Sequence, residues 1–316
     1  MVLSNLLSLW MALKSIVISC PFPTEKCDSC PNKLYEVNMI GRLPEEVKES
    51  SGLAAHNDLF FTHDDSGGKP VLFAFKNDEV DLMGQVNFPE EVKNVDWEDL
   101  AQDEDGHIFM GDFGNNNNNR KDLKIYRYHI FSGEVETISF SYEDQLEFPP
   151  KKNKNKRFDC EAMLWARGKL YLFAKIRGGK QVKVYQLPDQ AGEYVAREVF
   201  AFKMREQITA ADISPEKGQV ALLSYGKVLL YYADFDQEDN LRMVPFYCKR
   251  FVNSGQSEAI LYLNEEELLI TNEKGKVFLM NRRTLFEVPE RYTPELPKME
   301  APELLPAPDE PVRREN

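Results

Sequence analysis

The sequence predicts an all-β fold, a β-propeller of five four-stranded blades, and three observations predict it. First, one local pattern, a polar or acidic residue followed by a small or acidic one and then an apolar run, recurs as Ser51-Gly52-Leu53, Glu98-Asp99-Leu100, Glu161-Ala162-Met163, Thr209-Ala210-Ala211 and Glu258-Ala259-Ile260. Second, the first residues of these segments are 47, 63, 48 and 49 positions apart, the period of propeller blades rather than of separate domains. Third, short alternating or apolar runs broken by Gly, Asn, Asp and Pro fill the intervals, with no long amphipathic helix among them.

The strands follow in order. The first unit offers 51–55, 59–63, 70–76 and 82–88; the second 100–103, 107–112, 123–130 and 135–142. The third offers 162–166, 169–175, 181–187 and 194–202; the fourth 210–214, 219–225, 228–233 and 243–251. The fifth has only 259–263, 267–271 and 276–281, which would leave an unpaired edge. The orphan run Tyr35–Leu43, YEVNMIGRL, is expected to fill that edge from the N-terminal side and close the ring. Six blades are the alternative if the long 142–158 connection hides further strands. Its Lys151–Arg157 run reads as a solvated loop rather than a binding patch.

The propeller is expected over residues 32–285, between two ends of different character. Residues 1–31 carry an apolar stretch with Val17-Ile18-Ser19-Cys20, the form of a lipoprotein cleavage box, so an export signal or lipoprotein-like leader is expected, with Cys20 the residue a lipid anchor would use. Lys14 interrupts the stretch, and a frayed apolar helix is the alternative. Residues 286–316 repeat Pro and Glu without apolar periodicity and read as a disordered tail. Export places the protein in the periplasm or at the outer membrane or cell surface; a cytoplasmic protein is the alternative.

Composition narrows the function. At 42% hydrophobic and 29% charged the chain can build an ordinary globular core. A net charge of −13 argues against nucleic acid and against anionic membrane surfaces, both of which need a basic face. A monomer is expected. Cys27 and Cys30 form a C-x-x-C without a second ligand pair for zinc, so a linker disulfide or free thiols is expected. Cys160 and Cys248 fall in strand-like segments and read as buried small hydrophobes, while Trp97 and Trp165 read as packing between blades.

A position repeated once per blade becomes a ring around the central channel. That ring comprises Ser51, Glu98, Glu161, Thr209 and Glu258, with Glu49, Asp96, Asp159 and Gln256 two residues upstream and Asp212 nearby. Crowded carboxylates need water, protonation or a cation. Oxygen-only donors favour Ca²⁺, which assigns Glu98, Glu161, Glu258, Asp96 and Asp159 as candidate ligands; a water-filled acidic channel is the alternative. Two loops, Thr62–Gly67 and Gly111–Asn116, read first as blade turns. They also hold the weak catalytic candidates His63, Asp64 and Asp112 and the candidate ligand-binding residues Asp65 and Asn115, to which Asp212 is added. No G-x-S-x-G or H-E-x-x-H motif accompanies them. The asparagines 115–119 read as a solvated loop, and His56, His107 and His129 as structural or exposed.

The strings ESSGLA, THDDSGGKP, VDWEDLAQDEDGHIFMGDFGNN, FDCEAM and ITAADISP resemble the SdiA-regulated or YjiK-like family of bacterial propellers, over roughly Glu49 to Met280. The resemblance implies an exported protein with calcium-linked roles, and its E-G/A-apolar motif carries over onto Glu98, Glu161 and Glu258, with Ser51 and Thr209 replacing the acid in two blades. Some relatives are similar to propeller phytases. The expectation is a cation-stabilised module that binds a small molecule or protein across its channel face. The alternative is a calcium-dependent hydrolase of phosphate esters or lactones, which the missing nucleophile and sparse histidines disfavour.

Overall fold

The computed structural model describes residues 34–76, 80, 82–175, 181–204, 207–252 and 254–281. The leader with Cys20, Cys27 and Cys30 and the 286–316 tail lie outside the described residues. The chain is a β-propeller. Its strands are β1 (Leu34–Glu36), β2 (Asn38–Arg42), β3 (Ser50–His56), β4 (Leu59–Asp64), β5 (Val71–Phe75), β6 (Leu82–Asn87), β7 (Trp97–Gln102), β8 (His107–Asp112), β9 (Lys124–His129) and β10 (Val135–Tyr142). They continue with β11 (Asp159–Ala166), β12 (Lys169–Lys175), β13 (Gln181–Pro188), β14 (Gly192–Lys203), β15 (Ile208–Ile213), β16 (Gln219–Ser224), β17 (Lys227–Phe235), β18 (Leu241–Val252), β19 (Ser257–Tyr262), β20 (Glu267–Asn272) and β21 (Lys276–Asn281).

These strands form antiparallel four-stranded units β3–β6, β7–β10, β11–β14, β15–β18 and β19–β21 with β2. The first strands of the units neighbour one another in the cycle β3, β7, β11, β15, β19 and back to β3, so they line the centre. Apolar cores fill the wedges between units. Phe61, Trp97 and Tyr126 pack in one between the first and second units, and Phe109, Met163 and Tyr185 in one between the second and third. Alternation explains this: a strand buried on both faces must be apolar throughout, as Ile208–Ile213 and Gln219–Ser224 nearly are, whereas an outer strand such as β6 alternates between half-buried and exposed.

The orphan run divides. β2 pairs antiparallel with β21 and completes the fifth unit as expected, but β1 instead runs parallel to β18 and extends the fourth. A second departure joins neighbours: β10 and β14 pair in parallel from Ile138↔Gly192 to Tyr142↔Ala196, fusing the second and third units into one eight-stranded sheet. The 142–158 connection holds a short 3-10 turn, Asn153–Asn155, and no strand.

The asparagine run is not a solvated loop throughout. Asn118 is fully buried at positive φ, accepts Phe158 N–H on its side chain at 2.9 Å and receives the Gln145 amide on its carbonyl at 3.1 Å. Buried backbone donors need partners, and Asn is a residue that tolerates this conformation while supplying one. Cys248 also departs from expectation: it is disulfide-bonded, while Cys160 is buried and free.

Candidate functional site

The repeated motif lies inside the first strand of each unit rather than at its entry, and it is a β-bulge. The register skips Ser51 between Ser50↔Asp64 and Gly52↔His63, Glu161 between Cys160↔Ala174 and Ala162↔Phe173, Thr209 between Ile208↔Ser224 and Ala210↔Leu223, and Glu258 between Ser257↔Asn272 and Ala259↔Thr271. In the second unit it skips Glu98 and Asp99 between Trp97↔Asp112 and Leu100↔Met110. A bulge leaves one residue unpaired and re-aims its side chain, which is how five ring members leave the ladder.

Their partners differ. Glu161 is ion-paired with Lys175, whose ammonium is also 3.4 Å from Asp159 Oδ2. Glu258 accepts the Tyr225 hydroxyl at 2.9 Å. Thr209 donates to the Ser257 carbonyl at 2.8 Å, which ties the fourth unit to the fifth. Glu98 is only 8% exposed, and its carboxylate makes no hydrogen bond or ion pair among the described residues. Glu98 and Asp96 converge above Gly114, where a methyl group would fall 2.1 Å from Glu98 Oε1 and 2.4 Å from the Asp96 carboxyl carbon.

Burial raises the Glu98 carboxyl well above the ordinary range, and Glu161, Asp96, Asp65 and Asp159 add to it. Burial likewise raises Asp96 to about 6, helped by Asp65, and Glu258 to about 8, helped by Glu161 and opposed by Tyr225. Burial raises Glu161 too, against the pull of Lys175. Burial alone would lower Lys175, but Glu161 and Asp159 hold its ammonium above the usual lysine value. The structure therefore gathers Asp65, Asp96, Glu98, Asp159, Glu161 and Glu258 into one acidic field with Lys175 inside it.

The other candidates lie elsewhere. Asp212 faces inward and accepts Tyr262 N–H at 2.7 Å, with burial raising its carboxyl to about 7; it joins strands rather than facing the mouth. His63 is fully buried against Trp97 and Gly52; its Nδ1 donates to the Asp64 carbonyl at 2.9 Å, and burial lowers its pKa to about 4, so the ring is neutral. Asp64 accepts the backbone N–H groups of Lys48 and Glu49, at 2.8 and 3.4 Å, and not the imidazole. Asp112 accepts Asp96 N–H at 3.0 Å and pairs with Arg120 at 3.0 Å. Asn115 gives its N–H to Asp159 and its side-chain oxygen to Arg120 N–H, both at 3.0 Å. Among the described residues no three His, Cys, Asp or Glu side chains stand as a metal-holding group.

Sequence reasoning missed Lys175, Tyr225 and Asp99. Asp99 follows Glu98 inside the same bulge and is fully buried, accepting Leu100 N–H at 2.9 Å, Met163 N–H at 2.9 Å and Ala211 N–H at 3.2 Å. One carboxylate thus clasps the first strands of three units. A second acid directly after the repeated one was the signal available for it.

The fold and site define an all-β propeller with an acidic cluster, its mouth, beside the central first strands. No protein-family model matches the chain, and no curated protein matches it. It is similar to the solved structure of U3-55K, at 13% identity and TM-score 0.38 over 78% of this chain and 65% of that one. It is also similar to the crystal structure of RRP9 WD40 repeats, at 13% identity and TM-score 0.38 over 79% of this chain and 66% of that one. The chain thus spans less than two thirds of the length of either structure.

Proposed function

We propose that this protein is an exported binding propeller whose acidic mouth receives a cation or a positively charged group of a ligand or partner, with Ca²⁺ the metal its donors suit. The observation that carries the reading is Glu98: a carboxylate more than nine-tenths buried, without a partner among the described residues, beside Asp96 over a glycine whose missing side chain leaves room for both. A buried carboxylate is costly unless protonated or paired, so a site that keeps one unpaired is suited to a visitor of opposite charge. Glu98 and Asp96 offer hard oxygen ligands, and a calcium ion there would complete its shell with water or with oxygens of the bound ligand. The disulfide at Cys248 supports export, because such bonds persist in oxidising compartments.

Thermal melts of the full chain in calcium, magnesium or chelator test the reading. A ligand present at about a hundred times its Kd stabilises by about 2.7 kcal/mol, so millimolar calcium should raise the Tm of wild type and not of Glu98→Gln. An unchanged wild-type midpoint in calcium and in a cationic peptide would sink the proposal. Turnover in a phosphatase, phytase and lactonase screen would instead establish the hydrolase.

A further inference from the structure

Lys175 ends β12 one place beyond a position that the register repeats in every unit. The residues opposite the position just before each bulge are Asp64, Asp112, Ala174, Ser224 and Asn272, so the third unit has no polar side chain there, and Lys175, opposite Asp159, is the next residue. Asp64 and Asp112 spend their carboxylates on backbone N–H groups that lead into their own first strands, and Asn272 accepts Lys274 and Lys276 N–H at 3.0 and 2.9 Å. Ala174 cannot accept such bonds, and neither can the ammonium of Lys175, which has no lone pair. Lys175 points its charge at Asp159 and Glu161 instead, with the side chain 13% exposed. Arg120, a second cation of this region, is committed to Asp112, Asp122 and the Gly114 carbonyl.

The geometry points to Lys175 as a tethered occupant of the mouth, which a divalent cation displaces from Glu161 in order to bind; this rests on the cation-binding reading above. With the ammonium in place, Glu161 and Asp159 share its one positive charge, and Glu98 and Asp96 are left to take a cation. With it withdrawn, Glu161 joins them as an oxygen donor from the neighbouring unit. The exchange asks little of the backbone, since a lysine ammonium is a compact charge on a flexible four-carbon stem. It also never leaves Glu161 buried without a counter-charge, the state that costs most. A tethered competitor acts at an effective concentration in the millimolar range, so the wild-type mouth binds calcium less tightly than its oxygen donors alone would and releases it readily.

Calorimetric titration of calcium into the full-length wild type, K175M and E98Q tests this. K175M keeps the length of the stem and removes the charge, and it should bind calcium at least tenfold more tightly than wild type, while E98Q weakens binding. Wild-type binding with a K175M affinity equal to or below it overturns the displacement and leaves the cation site standing. No binding by wild type or K175M overturns both. If K175M does not fold, amine acylation of wild-type Lys175, followed by peptide mass mapping, supplies the second measurement. Labelling should rise several-fold when calcium is added, and labelling that is unchanged or falls overturns the displacement.

Discussion

Replacing Asp99 by alanine should be among the most damaging single changes away from the mouth, and its size can be worked from three hydrogen bonds. Asp99 Oδ1 takes the N–H of Leu100, and Oδ2 takes those of Met163 and Ala211, which lie in β7, β11 and β15. A hydrogen bond to an ionised acceptor contributes about 1.5–3 kcal/mol, and a stranded buried N–H costs about 1–3 kcal/mol. Against this stands relief from burying a carboxylate whose pKa burial raises well above the ordinary value. The balance is a loss of roughly 3–5 kcal/mol for Asp99→Ala. For a domain of this size each kcal/mol moves Tm by about 2–4 °C, so the drop should be roughly 10 °C or more. Asp99→Asn keeps one acceptor and turns the other into a donor facing an N–H, so it should lose about 1–2 kcal/mol. Urea unfolding with an unchanged m-value measures both. Alanine within about 1 kcal/mol of wild type, or asparagine worse than alanine, would refute the clasp.

Gly114→Ala should abolish cation binding and cost about 1–3 kcal/mol, because its methyl group would lie within 2.1 Å of Glu98 Oε1; calorimetry and melting read the two effects. Asn118→Ala should cost about 2–3 kcal/mol by stranding Phe158 N–H, measured by urea unfolding. Stability without metal should fall as pH rises from about 4.5 to 8, since the folded state binds protons that the unfolded state releases: Asp96, Asp212 and Glu258 have folded pKa values of about 6, 7 and 8, above their ordinary values of 3.8, 3.8 and 4.5. Melts across that range check the sign, and a Tm that climbs toward pH 8 contradicts it. Deleting residues through Arg42 removes β1 and β2, uncovers β18 and β21, and should produce association detectable by light scattering.

The repeat was legible because its period exceeds any local noise, and strand after strand falls within a few residues of its expected span. Tyr35–Leu43 was legible as a closing strand because the fifth unit lacked one. Its division was not, since three residues pairing in parallel carry no alternation to read. The bulge was hidden for a related reason: Glu98, Glu161 and Glu258 look like ordinary strand entries until the register shows them to be extra residues. Lys175 was invisible because a lysine ending a strand is ordinary in sequence, and only the pairing Asp159↔Lys175 sets it in the mouth. Buried Asn115 and Asn118 sit in a run whose composition signals solvent, and their burial follows from backbone donors that no sequence pattern displays.

The pairing of β10 with β14 bears on how the molecule behaves in a crowded solution. Each unit of a propeller ends in an outer strand whose free edge can template pairing with another chain. Here the longest outer strands are covered in part: Gly192–Ala196 of β14 pairs with β10, and Arg250–Val252 of β18 pairs with β1. Within the described residues the units that end in a strand with no added partner end in β6 and β2, of 6 and 5 residues, against 12 for β14 and β18. Among the described residues the outer strands left wholly without cover are thus short ones, and lengthening β6 or β2 would be a direct route to making the protein polymerise.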